Sequence, residues 1–133
     1  MPRAKLLIVD DEEEVCSILK DNIEEAQIGE FQIELAHDAD EALDKAMILE
    51  PDLVFVDIKM PHTWGDELIE KMKKLPIRKP KAYFILTAAY DEGIRSKMIA
   101  DGHLYFTKPF NLDELFKHLI AKCYDLGLVK SPA

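Results

Sequence analysis

Leu6-Leu7-Ile8-Val9-Asp10-Asp11 and Leu53-Val54-Phe55-Val56-Asp57 follow one plan: a short apolar run that ends on a carboxylate. Two later segments repeat it with other polar ends, Tyr83-Phe84-Ile85-Leu86 before Thr87 and Leu104-Tyr105-Phe106-Thr107 before Lys108-Pro109. Short runs rich in Val, Ile, Leu and aromatics, alternating with helical stretches, read as parallel strands buried on both faces. In an open parallel sheet all carboxyl ends lie on one edge, and ligands bind there, near the point where strand order reverses. Asp10, Asp11, Asp57, Thr87 and Lys108 are therefore expected in one pocket.

The intervening segments carry helical periodicity. A helix from about Glu12 to Gln27 presents Val15, Ile18, Leu19, Ile23 and Ala26, with Gly29 as its stop. A strand from Phe31 to Ala36 leads through His37-Asp38-Ala39-Asp40 into a helix ending near Leu49, and Pro51 separates it from the next strand. After Gly65 a helix with Leu68, Ile69, Met72 and Leu75 runs to Pro76, and another spans roughly Gly93 to Ala100. The last starts after Asn111, a good N-cap, shows Leu112, Leu115, Phe116, Leu119 and Ile120, and closes at Gly127. Five strands alternating with five helices predict right-handed crossovers and a three-layer α/β/α sandwich. Residues 1–128 form one domain in this reading, and Val129 to Ala133 a tail or linker stub.

The 133 residues suit a single domain with one well-packed sheet. Lys and Arg number 17 against 26 Asp and Glu; the resulting charge of −9 repels phosphate backbones and argues against direct nucleic acid binding. The longest nearly apolar stretch, Ala82 to Tyr90, is half a membrane span, so no membrane association is expected. Near the N-terminus the apolar run gives way at once to acid, which predicts no signal peptide and a cytoplasmic location. Cys16 and Cys123 read as small buried hydrophobes, their pairing left open. His37, His62, His103 and His118 form no ligand pair at helical spacing, so surface roles are expected for them.

With the first strand beside the third, as in the doubly wound order 2-1-3-4-5, Asp10, Asp11 and Asp57 converge. Two like charges about 4 Å apart repel by roughly 4 kcal/mol at an effective dielectric near 20, so such a cluster takes up protons or binds a cation. An all-oxygen donor set suits Mg2+ or a similar hard divalent ion such as Mn2+, and lacks the N and S ligands of zinc. Each piece also has a plain reading. Glu12, Glu13 and Glu14 complement the dipole of a helix start. A lone Asp at a strand end is most often a turn residue. Five fitting groups at four strand ends outweigh coincidence.

The segments Leu7-Ile8-Val9-Asp10-Asp11, Asp57-Ile58-Lys59-Met60-Pro61 with Gly65, Leu86-Thr87-Ala88 and Thr107-Lys108-Pro109-Phe110 occur in the order of a known family. Over essentially its whole length the chain resembles the receiver domain of two-component response regulators. The resemblance implies a flavodoxin-like, doubly wound five-stranded parallel sheet of order 2-1-3-4-5. It makes Asp57 the phosphoacceptor, with Mg2+ held by Asp10, Asp11, Asp57 and the backbone carbonyl of Lys59. Lys108 would pair with a phosphoryl oxygen, and its bond to Pro109 would be cis, aiming the ammonium into the pocket. Thr87 would donate to the phosphoryl group and Tyr105 would move with it as the switch aromatic, with simple packing on the last strand as the lesser alternative for Tyr105. A histidine kinase or phosphotransfer protein would supply the phosphoryl group. A downstream protein or effector domain would read a surface including Ile94, Lys97, Met98 and Tyr105, with the domain a monomer or a phosphorylation-dependent dimer.

Asp101-Gly102-His103 departs from the family pattern and is expected to alter a turn only. Lys59 and Ala89 stand where the family tunes access of water to the acyl phosphate, and Lys59 has a phosphoryl group or a neighbouring acid to contact. Trp64 serves either a hydrophobic contact before its helix or a partner. The reading is of a signalling switch rather than an enzyme. An aspartyl-phosphate phosphatase of the haloacid dehalogenase type needs an Asp at position 59, where Lys stands. A flavodoxin-like cofactor carrier needs a Gly/Ser/Thr-rich loop after the first strand, where Asp10-Asp11-Glu12-Glu13-Glu14 would repel the cofactor phosphate. A receiver kept for binding alone is disfavoured by its intact chemical positions.

Overall fold

The computed structural model describes residues 4–27 and 29–128, so the expected tail at 129–133 lies outside it. Among the described residues the elements alternate without exception: β1 (Ala4–Val9), α1 (Glu13–Ala26), β2 (Phe31–Ala36), α2 (Ala39–Leu49), β3 (Leu53–Val56), α3 (Gly65–Lys73), β4 (Ala82–Thr87), α4 (Glu92–Ala100), β5 (Leu104–Thr107) and α5 (Leu112–Asp125). The strands form one parallel sheet of order β2-β1-β3-β4-β5, as expected for the doubly wound plan.

Strand alternation splits the core in two. Leu7, Val9, Val54, Val56, Tyr83 and Ile85 face α2, α3 and α4, where Ala42, Leu68, Ile69, Met72 and Met98 cover them. Leu6, Ile8, Phe55, Phe84 and Leu86 face α1 and α5, under Cys16, Leu19, Ile23, Leu115, Leu119 and Cys123. Both thiols are unpaired and buried, and burial raises their pKa to about 12 for Cys16 and about 11 for Cys123. They are packing groups, not nucleophiles.

Three expectations need correction. Burial on both faces holds for β1, β3 and β4, but β2 and β5 are sheet edges and only partly covered. Helix α1 ends at Ala26 with Gln27 as its C-cap in the left-handed conformation at φ 51°, so the stop comes two residues before the expected Gly29. Ile18 and Ala26 lie off its buried stripe, and Ile18 is 53% exposed. Gly127, at φ 70°, closes α5 as anticipated. No helix among the described residues is long and apolar enough to cross a membrane.

Candidate functional site

Register brings the strand ends to one level. Beyond the Val9↔Val56 pair, the Asp57 N–H donates to the Val9 carbonyl at 3.0 Å, while the Asp10 N–H donates to that of Ala36 at 3.1 Å. On the other side of the sheet's centre, the Lys108 N–H donates to the Thr87 carbonyl at 2.8 Å. Ladder hydrogen bonds thus carry Asp10, Asp57 and Lys108 just past the strands, where side chains leave the packed layers.

Carboxylate oxygens of Asp10, Asp11 and Asp57 lie within 4.8 Å of one another, with Asp10 and Asp57 buried and Asp11 exposed. Lys108 Nζ reaches Asp10 Oδ2 at 2.6 Å and Asp57 Oδ2 at 3.4 Å, with Glu12 Oε1 at 4.0 Å. Glu12, read as a helix-start residue only, therefore also borders the ammonium. Burial pushes the Asp10 carboxyl above its ordinary value, against the hydrogen bonds from Lys108 and the Glu12 N–H. Burial works against the Lys108 ammonium too, but its bond to Asp10 and the charges of Asp10 and Asp57 outweigh this and raise its pKa. One cation among this many acids leaves the pocket short of positive charge. Asp57 Oδ1 is buried with no hydrogen-bond partner among the described residues. A buried carboxylate oxygen without a partner is costly, and a hard, oxygen-seeking cation is the kind of partner that satisfies it.

Thr87 is fully buried, and its Oγ1 accepts from the Ala89 N–H at 3.0 Å, which leaves the hydroxyl hydrogen to donate. Tyr105 is partly buried against the α4 side, with the Arg95 guanidinium 5.9 Å from its ring centre. The Lys108-Pro109 bond is cis. Lys59 is exposed and makes no ion pair among the described residues. Trp64 is the N-cap residue of α3 and is 39% exposed. Met98 is wholly buried in the core, so it cannot serve as a surface contact of α4; Lys97 is exposed and Ile94 half-buried. The helix turns Met98 inward because Ile94 and Met98, one turn apart, share its buried stripe.

Other residues gain importance only here. The Gly65 N–H donates to the Ile58 carbonyl at 2.7 Å, and a Cβ at Gly65 would lie 2.0 Å from the carbonyl oxygen of Asp57. Only glycine lets α3 start against the backbone of Asp57. His37 and His103, expected at the surface, are both partly buried. His103 meets Tyr83 edge-on at 5.2 Å, and burial, helped by Lys73, lowers its pKa. Beside Lys108, an open apolar groove of about 270 Å³ runs between Val15, Ile18, Leu19, Pro109, Phe110 and Leu112.

Residues 6–120 match the family model described as the response regulator receiver domain. The chain is 32% identical over 114 residues to the alkaline phosphatase synthesis transcriptional regulatory protein PhoP of Bacillus subtilis (strain 168), covering 84% of this chain and 45% of that protein. It is 33% identical over 86 residues to hybrid signal transduction histidine kinase D of Dictyostelium discoideum, covering 64% of this chain and 6% of that protein. The chain thus spans less than half the length of either relative. Its fold matches the response regulator receiver domain protein (CheY-like) of Methanospirillum hungatei JF-1 with a TM-score of 0.80 and 27% identity, covering 92% of this chain and 95% of that one. With the sheet order, the acidic pocket at its carboxyl edge and the family match in agreement, the chain belongs to the response regulator receiver domain family, the phosphoacceptor module of two-component signal transduction.

Proposed function

We propose that Asp57 is the phosphoacceptor and that the pocket around it works with Mg2+ or Mn2+. The observation that carries this reading is the buried, unpartnered Oδ1 of Asp57 beside Lys108. A carboxylate oxygen of Asp57 attacks phosphorus, the bond to the imidazole nitrogen of a phosphohistidine breaks, and the freed imidazole leaves with that electron pair. Asp10, Asp11, Asp57 and the backbone carbonyl of Lys59 would hold the divalent ion, which when bound offsets the charge developing on the phosphoryl oxygens. Lys108 then exchanges its contact with Asp57 for a phosphoryl oxygen, and Thr87 turns its free hydroxyl hydrogen toward the same group. Movement of Thr87 opens room behind it, and Tyr105 with Ile94 and Lys97 of α4 reports the change to a downstream protein or effector domain.

A histidine kinase or phosphotransfer protein must bring its imidazole to Asp57, and the apolar groove beside Lys108 is continuous with that approach. Its exposed Ile18 has no packing duty that explains it. Intact mass after incubation with acetyl phosphate and Mg2+ tests the assignment: one phosphoryl group on the native chain and none on Asp57→Asn. Labelling that persists in Asp57→Asn sinks it. With a phosphohistidine protein as donor, Ile18→Asp should slow transfer about tenfold while labelling by acetyl phosphate is unchanged.

A further inference from the structure

The Asp10 carbonyl belongs to the peptide plane that joins Asp10 to Asp11, so whatever holds that oxygen sets the ψ of Asp10 and the φ of Asp11. Two groups approach it: His37 Nδ1 at 3.3 Å and Cys16 Sγ at 3.5 Å. A carbonyl only accepts, so Nδ1 of His37 carries the hydrogen. Nor is His37 free to drift. Its N–H donates to Glu41 Oε1 at 2.6 Å, while the Glu41 N–H donates to Asp38 Oδ1 at 2.8 Å, the bond by which Asp38 caps α2. Lys45, a turn further on, is paired with Glu41 at 3.9 Å and donates to the Leu35 carbonyl of β2. The cap of α2, the turn after β2 and the Asp10-Asp11 peptide are thus one hydrogen-bonded unit.

We propose that His37 is a positioning residue of the acidic pocket: held by the α2 cap, its Nδ1–H fixes the Asp10-Asp11 peptide and hence where the two carboxylates point. The proposal rests on the metal reading of that pocket. Groups just outside a metal's ligands typically change affinity 10- to 100-fold when removed, because they orient the ligands. His37→Leu, which keeps bulk and loses the donor, should weaken Mn2+ binding about tenfold, read as free Mn2+ by electron paramagnetic resonance. His37→Asn, whose amide nitrogen stands near the place of Nδ1, should restore most of the affinity. In the native chain, 15N shifts of the His37 ring should show the Nδ1–H tautomer in mildly alkaline, metal-free buffer. That measurement needs no variant and stands even where His37→Leu fails to fold. Native-like Mn2+ affinity in His37→Leu, equal losses in both variants, or an Nε2–H tautomer each overturn the role of His37. A native chain that takes up no Mn2+ overturns instead the metal reading, and this proposal with it.

Discussion

Strand β3 is flanked by two buried aspartates, Asp52 before it and Asp57 after it, and the two live in opposite circumstances. Asp52 is satisfied throughout. Its Oδ2 accepts from the Lys5 N–H at 2.9 Å, its Oδ1 from Arg78 at 3.1 Å, and its own N–H and carbonyl bond to Lys5 and Lys81 at 2.8 and 2.7 Å. Asp57 keeps one oxygen without a partner among the described residues and sits among other acids with Lys108 spread between them. Burial of charge is common to both, so burial does not mark the site. The mark is the spare bonding capacity: Asp52 staples the amino edge of the sheet, whereas Asp57, at the carboxyl edge, is the residue proposed to take a cation and a phosphoryl group.

The contrast can be broken first at Gly65. Gly65→Ala forces a Cβ against the Asp57 carbonyl, and an overpacked backbone contact should cost about 3 kcal/mol in urea unfolding and suppress labelling by acetyl phosphate. An unchanged midpoint would mean that α3 slides without disturbing Asp57. Opposite signs are expected at the two aspartates. Asp52→Ala strands the Lys5 N–H and the Arg78 guanidinium and should destabilise the fold by about 2 kcal/mol while phosphoryl uptake persists. Asp57→Asn relieves repulsion with Asp10 and should leave the fold as stable as before or about 1 kcal/mol more so, with uptake abolished. Equal losses at both positions would erase the distinction. Mg2+ at a hundred times its dissociation constant should stabilise the native chain by about 2.7 kcal/mol and Asp57→Asn by less, measured as the shift in unfolding midpoint.

The smallest effect concerns His103, far from this axis. Its folded-state pKa lies below the ordinary 6.5, so as pH falls the unfolded chain takes the proton first. Its contribution to stability is present above about 6.5 and is lost as pH drops from there toward the folded value. His103→Phe should flatten the fall in unfolding free energy between about pH 7 and about pH 5 by less than about 1 kcal/mol, and an unaltered slope would show the ring to be solvated.

Much of this was legible in the chain because it is local. Apolar runs of strand length and helical spacing between them announced β2, β3 and β5 to the residue, and the alternation itself restricts the sheet to a few topologies. Asp10, Asp57, Thr87 and Lys108 were visible because they interrupt those runs at the same point in each unit. What escaped depends on partners distant in sequence. Nothing local separates Asp52 from a turn residue before Leu53, since its acceptors are filled by Lys5 and Arg78. Met98 looked available beside Ile94 and Lys97 until packing on β4 and β5 turned it inward. His37 looked like a loop histidine until β1 and β2 paired and brought it to the Asp10 carbonyl. The sequence by itself determined which residues are strands, helices and chemically capable side chains, because short-range periodicity and residue chemistry carry that information. Tertiary structure alone decided which charges are satisfied and which are left waiting, because hydrogen bonds and desolvation depend on neighbours that only the closed sheet assembles.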